Sequence, residues 1–325
     1  LFCSSNGTPL KAGVRRDTMT RNKIILFSAA ILVVGIAAIG VIGFGSKTMR
    51  LSGSQFQSMI VDGIVWQPTI ETANPRGDWQ KLGVDHLLVQ WSEVDGYCFV
   101  PCQQSSNAMT DWLEIARQPW ARNVILGLAG QFNEPNARKN VLSLAKKSVE
   151  ITKLNLPTNI TGYYFPVEVD PSWAEAPELM AKALEKLPRP LWISLYEGYN
   201  IGGKATAEWI ASWLPSDVGV FFQDGVGVEV RSAPVAREYV DALAEKLGKD
   251  RVKVIVEAFR PLGEGKFRAA TAEELLPQIK AMQGYDIYIF DGPHYVSAAL
   301  VERLNEAGIA PSDPDSDETN VSLAD

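Results

Sequence analysis

Eight short runs of β-branched and aromatic residues, at 59–67, 86–91, 123–129, 161–168, 190–196, 218–223, 252–257 and 286–291, recur along this chain with amphipathic stretches between them. Runs of this length read as strands. The intervening segments 137–154, 174–187, 206–214, 234–247, 271–282 and 297–307 repeat apolar residues three and four apart, as helices packed on one face do. Only the first connection, around 78–82, is short. Strands that are apolar on both faces and alternate with helices imply a parallel sheet covered on both sides. Eight such units predict an α/β fold, a (β/α)8 TIM barrel over residues 59–310, and about 250 residues is the usual size of one. The competing architecture, an open doubly wound sheet, carries a glycine-rich first strand–helix turn, whereas Gln67-Pro68-Thr69-Ile70 holds no glycine.

In such a barrel chemistry sits at the C-terminal ends of the strands, and these ends are rich in polar groups. Gln67 follows the first strand; Gln90, Trp91, Ser92 and Glu93 end the second; Gln131 and Asn133 follow the third; Glu168 ends the fourth. Tyr196 and Glu197 end the fifth, Gln223 and Asp224 the sixth, Glu257 the seventh, with Arg260 after it, and Asp291 the eighth. Amide and acid side chains hydrogen-bond hydroxyls, and Trp and Tyr faces stack on the C–H side of a pyranose ring, so this inventory suits a sugar cleft. Gln67, Gln90, Trp91, Tyr164, Tyr196, Gln223 and Asp291 are the predicted substrate contacts.

Glycosidic bond hydrolysis uses one protonated acid, which hands a proton to the leaving oxygen, and one ionised carboxylate, which acts as nucleophile or activates water. Glu168 in Gly162-Tyr163-Tyr164-Phe165-Pro166-Val167-Glu168 and Glu257 in Val254-Ile255-Val256-Glu257 are placed to form such a pair. The bland alternatives are a helix-capping role for Glu168, a turn role for Asp224 and an ion pair of Glu257 with Arg260.

The strand-four and strand-seven acids resemble those of the retaining barrel glycosidases, which implies Glu168 as acid/base and Glu257 as nucleophile. A second resemblance covers nearly the whole region after residue 58. Val65-Trp66-Gln67-Pro68, the 162–168 segment and Phe222-Gln223-Asp224-Gly225-Val226-Gly227 look like the bacterial glycoside-hydrolase-like barrels classed as domain of unknown function 4434. That resemblance implies a carbohydrate substrate and makes Asp224 a rival to Glu257 as the partner of Glu168.

The region before the barrel predicts a membrane anchor. Residues 24–44 hold no charged residue and no proline, and 21 residues at about 1.5 Å each cross a hydrocarbon core of roughly 30 Å. Residues 1–23 form the predicted cytoplasmic segment, where five Lys and Arg residues stand against Asp17 alone, so the positive-inside rule exports everything after Phe44. Residue 1 is Leu, and Met19 offers an alternative start. Cleavage of 24–44 as a signal peptide, giving a secreted protein, is the alternative to an uncleaved anchor. Residues 45–58 read as a linker and 311–325 as a disordered acidic tail.

Other chemistries fit less well. A net charge of −7 without a basic run argues against nucleic acid and against acidic polymers. His86 and His294, the two histidines, stand in no metal-ligand spacing, which argues against a histidine-rich zinc or di-metal site and leaves a carboxylate-bound Ca²⁺ open; no metal ligand and no cofactor is assigned. Cys98 and Cys102 would form a local disulfide in an oxidising compartment. Gly198-Tyr199-Asn200-Ile201-Gly202-Gly203-Lys204-Ala205 sits where a phosphate-binding loop would, yet Ala205 replaces the hydroxyl that binds magnesium; it reads instead as a mobile lip of the cleft. No Gly-x-Ser-x-Gly occurs.

Together these features predict a membrane-anchored glycoside hydrolase in the periplasm or outside the cell, acting on an exopolysaccharide or envelope glycan, with exopolysaccharide synthesis or export proteins as possible partners. The alternative is a catalytically silent barrel that binds glycan or scaffolds an export system.

Overall fold

The computed structural model describes residues 59–102, 110–263 and 265–310. The predicted cytoplasmic segment, anchor, linker and acidic tail lie outside them. Among the described residues no helix is long and apolar enough to cross a membrane.

All eight expected strands are present: β1 (Gly63–Trp66), β2 (His86–Val89), β3 (Asn123–Gly127), β4 (Ile160–Val169), β5 (Leu191–Leu195), β6 (Val218–Gln223), β7 (Val252–Glu257) and β8 (Asp286–Phe290). They pair in parallel and in sequence order, and Gly63 of β1 faces Tyr288 of β8 to close the barrel. The helices are α1 (Trp112–Ala116), α2 (Glu134–Lys139), α3 (Val141–Ile151), α4 (Ala176–Leu184), α5 (Gly203–Ala211), α6 (Ala233–Leu247), α7 (Ala272–Met282), α8 (Gly292–Tyr295) and α9 (Ala298–Glu306). The short first connection is a 3-10 turn at Trp79–Leu82. A bridge between Met59 and Ile309 joins the two ends of the described residues.

The barrel interior is packed with side chains. Because strand side chains alternate faces, every second residue points inward, and Val65, Leu88, Ile125, Tyr164, Phe221, Ile255 and Tyr288 form one buried cluster with Trp192 and Phe290 against it. Phe221 meets Tyr164, Trp192 and Tyr288 edge-on at centroid distances of 5.6, 5.5 and 4.9 Å, the geometry aromatic quadrupoles favour. Rings this large fit because glycine faces them. A Cβ on Gly63 would lie 2.2 Å from the Tyr288 ring, and one on Gly219 would lie 2.2 Å from the Trp192 ring.

Three additions shape the mouth. Glu93–Val94 and Tyr97–Cys98 form a hairpin after β2, and its first strand pairs with Ala129–Gly130. Cys98 and Cys102 are joined by a disulfide with Cα atoms 6.5 Å apart. After β7, Phe259–Gly263 and Lys266–Ala269 form a second hairpin.

Candidate active site

Glu168 reaches the mouth through an irregularity in β4. Phe165 pairs with Ile193, but the next partner of β5, Ser194, faces Glu168, so Pro166 and Val167 are extra residues on the β4 side. Two extra residues preserve the inward parity while setting Glu168 beside Ser194, one layer lower than an unbulged strand would leave it. Its carboxylate then meets Gln223 at the end of β6, whose Nε2 donates to Glu168 Oε1 at 2.6 Å and to Ser194 Oγ at 2.8 Å.

The cavity above has a volume of about 240 Å³ and is walled by Gln67, Gln90, Trp91, Gln131, Phe132, Glu134, Pro166, Glu168, Gln223, Ile255 and Phe290. Gln67, Gln90, Trp91, Gln223 and Glu168, distant in the chain, thus meet as expected of strand-end residues. Trp91 is fixed by its indole Nε1, which donates to the Pro68 carbonyl at 3.1 Å, and its ring lies 5.0 Å from that of Phe132.

Glu134 is the cavity carboxylate that sequence reasoning did not single out. It begins α2, which Asn133 caps by accepting the Asn136 N–H at 3.0 Å. Acids in a first helical turn favour the helix dipole anyway, and this disguised its second orientation toward β4. Glu134 Oε1 accepts the Glu168 backbone N–H at 2.8 Å. Arg138, one turn on, lies 3.7 Å from Glu134, donates to the Glu168 carbonyl at 3.1 Å and pairs with Asp170 at 2.6 Å. Asp170 in turn accepts the Ser172 N–H at 2.6 Å, so the local turn-holding role belongs to it rather than to Glu168.

Both cavity carboxyls favour the protonated form. Burial raises Glu168 above the usual carboxylate range despite the Gln223 hydrogen bond and nearby Arg138. Burial and the adjacent Glu168 charge push Glu134 up to about 8. A folded-state value above the unfolded one means that the native protein holds the extra proton. Stability from this group is therefore full below about pH 4.5 and is lost as pH climbs through about 8. Each pH unit between the folded and unfolded values corresponds to about 1.4 kcal/mol. Glu134→Gln, which keeps an oxygen for the Glu168 N–H, should flatten the fall in melting temperature between about pH 5 and pH 9 relative to wild type. Parallel curves for the two proteins would show that Glu134 is not the group responsible.

Five predicted catalytic or substrate-contact residues do not line this cavity. Tyr164 belongs to the barrel core, fully buried one layer below, and its hydroxyl makes no hydrogen bond. Asp224 follows inward-facing Gln223 and therefore faces the other way. It is wholly buried, accepting from Gln278 Nε2 at 2.5 Å, Val226 N at 3.2 Å and Glu257 N at 3.3 Å. Asp291, the residue after the end of β8, also lies outside the cavity wall. It caps α8 by accepting the His294 N–H at 2.9 Å, contacts the His294 ring at 2.7 Å and accepts Gln67 N at 3.2 Å. It thus fixes the backbone of a cavity residue rather than touching the cavity.

Glu257 is the fourth. It ends the inward row of β7, but its carboxylate turns to the loop after β6, where Oε2 accepts Val228 N–H at 3.1 Å and a Cβ on Gly227 would lie 2.9 Å from that oxygen. Arg260 donates to the Glu257 carbonyl at 3.2 Å and to Gln278 at 2.9 Å, so the anticipated Arg260 ion pair is a backbone contact instead. Burial, then the Asp224 charge, raises Glu257 to about 8, and burial raises Asp224 to about 6. Tyr196 is half-buried near the cavity without walling it. Burial, then the charges of Glu257 and Glu168, push its phenol up to about 12.

The loop after β5 is tied down at two points. Asn200 Nδ2 donates to the Val230 carbonyl at 2.7 Å, and Gly202 N donates to the Tyr239 hydroxyl at 2.8 Å. Beneath it Glu197 and Arg231, each 1% exposed at the side chain, pair at 3.4 Å. Among the described residues no cluster of His, Cys, Asp or Glu could hold a metal ion.

Fold and site define a closed (β/α)8 barrel with an acid- and amide-walled cavity at the C-terminal mouth of its strands. Among solved structures, a candidate alpha-L-fucosidase from Bacteroides thetaiotaomicron VPI-5482 shares this fold at a TM-score of 0.55 and 16% identity, over 83% of this chain and 99% of that one. The spore cortex-lytic enzyme SleL of Bacillus cereus matches at a TM-score of 0.45 and 12% identity, over 76% of this chain and 75% of its own. The PgaB (BpsB) glycoside hydrolase domain of Bordetella bronchiseptica matches at 0.45 and 12%, over 76% of this chain and 99% of its own. No family model and no curated protein matches the sequence. At 16% identity the first of these likenesses speaks for the barrel architecture alone.

Proposed function

We propose that this barrel is a glycoside hydrolase in which Glu168 donates the proton to the leaving oxygen. One observation carries the reading: an inward-facing carboxyl on the fourth strand, held by Gln223 at 2.6 Å and biased by burial toward its protonated form, opens on a cavity of about 240 Å³ walled by four glutamine side chains and three aromatic side chains. Glu257 is the partner carboxylate in this reading, supported by its place at the end of the inward row of β7; to serve, it turns from the Val228 N–H into the cavity and gives up its proton. Asp224 acts at one remove, holding the Glu257 backbone N–H. Gln67, Gln90, Gln223 and Trp91 hold the sugar.

The substrate in this reading is an exopolysaccharide or cell-envelope glycan. The apolar 24–44 segment supports membrane anchoring with the barrel outside the cytoplasm, and its cleavage would give a secreted enzyme. Assay of reducing-end release from such glycans, with binding measured alongside, tests the proposal. Binding without release by the wild-type protein would instead favour the silent scaffold.

A further inference from the structure

We infer that a second sugar position lies beside the Glu168 cavity, on the far side of Phe132, and takes the next unit of an uncharged glycan. The inference rests on the reading of the Glu168 cavity as a glycan site. A separate cavity of about 220 Å³ is walled by Pro68, Thr69, Ile70, Glu71, Val94, Asp95, Tyr97, Phe99 and Phe132. Phe132 walls both cavities. Neither volume alone reaches the roughly 300 Å³ at which small-molecule sites usually begin, whereas the two taken together do.

Phe132 is built to stand there. Its side chain is 61% exposed, an unfavourable placement for a phenyl ring unless something covers it. One face is braced by Trp91 at 5.0 Å, and its backbone N–H is held by Asp95 Oδ2 at 3.0 Å. Asp95 itself occupies the left-handed region at φ +47°, at the tip of the hairpin that carries Tyr97, and also accepts from Gln131 Nε2 at 3.3 Å. The hairpin thus locks one cavity to the other. Tyr97 and Ile70, 39% and 55% exposed, offer further apolar surface for the C–H face of a ring.

Charge selects among glycans. Glu71 and Asp95 wall the second cavity, Glu134 and Glu168 the first, and neither wall contains a lysine, arginine or histidine. A uronate or sulfated unit would meet repulsion from Glu71 and Asp95 in the second position, and no cation in the first to hold it.

The test uses the full chain carrying Glu168→Gln, so that ligands persist. Calorimetric titration with methyl glycosides of single sugars and their two- to four-unit oligomers, neutral and uronic, reads the dependence on length. For a neutral series, affinity should rise about tenfold or more from one unit to two or three. Tyr97→Ala and Ile70→Ala, both at exposed positions, should each lower the oligomer-to-monomer affinity ratio several-fold. Phe132→Ala should lower it about tenfold. A ratio that ignores length, a ratio that survives all three changes, or a preference for uronic oligomers would overturn the second position while leaving the first. Binding of no glycan at all would remove the Glu168 reading and the second position with it.

Discussion

Glu168→Gln is expected to lower turnover of a susceptible glycan by about 10²–10⁴-fold, the usual contribution of a positioned general acid, while leaving binding within about threefold. Gln keeps the shape and still offers an oxygen to Gln223 Nε2, which sits 2.6 Å from Glu168 Oε1. What it loses is the transferable proton. The loss should fall on kcat rather than KM, because proton donation strengthens only as the glycosidic bond breaks. A substrate whose leaving group needs no protonation, such as a 2,4-dinitrophenyl glycoside, should recover most of the rate. The pH profile supplies a further check. Burial keeps Glu168 protonated above the ordinary carboxylate range, so the wild-type rate should fall on the alkaline side as this proton is lost, and the variant should lack that limb. Unchanged turnover in Glu168→Gln would refute the assignment.

The second large effect concerns stability. Arg231→Ala should destabilise the barrel by about 3–5 kcal/mol, the usual consequence of leaving one partner of a buried ion pair alone. Glu197 would keep the Tyr239 hydroxyl at 2.7 Å and the Tyr199 N–H at 2.5 Å but lose its only countercharge in the pair. More than the pair is at stake. Arg231 Nε donates to Asn200 Oδ1 at 3.0 Å, Nη1 donates to the Asp224 carbonyl at 3.4 Å, and Nη2 also contacts the Glu197 carbonyl. The guanidinium lies 4.5 Å over the Tyr239 ring. One side chain therefore ties the loops after β5 and β6 together. At about 2–4 °C per kcal/mol for a domain of this size, melting should drop by roughly 6–20 °C. Glu197→Gln combined with Arg231→Met should regain part of it, since no bare charge then remains buried. A fall of less than about 1 kcal/mol in the single variant would show that water reaches Glu197.

Two pairs of neighbours illustrate why strand ends mislead. Gln223 and Asp224, like Phe290 and Asp291, are adjacent, with the first of each pair closing a strand and the second opening the loop beyond it. One of each pair walls the cavity; the other holds the scaffold, Asp224 through Gln278 and Asp291 through His294. The sequence pattern placed all four at the correct end of the barrel but did not separate the two roles. Tyr164 shows the complementary case. It shares inward parity with Glu168, yet lies deep enough to belong to the aromatic layer around Phe221.

Glu134 was illegible for a different reason. Its neighbours Asn133 and Pro135 mark a helix start, and an acid at that position is common for local electrostatic reasons alone. Only the 2.8 Å bond to the Glu168 N–H, across 34 residues of chain, reveals its place in the cavity wall.

The order and number of strands follow from the sequence by itself, because apolar runs that alternate with amphipathic stretches can bury both faces in few other ways. So does the gathering of Gln67, Gln90, Trp91, Glu168 and Gln223, since parallel strands in one barrel must all end at the same mouth. Tertiary structure alone decided the rest: the two extra residues that set Glu168 against Ser194, the turning of Glu257 toward the Val228 N–H, and the entry of Glu134. Those outcomes depend on register and on contacts between distant segments, which no local pattern of residues encodes.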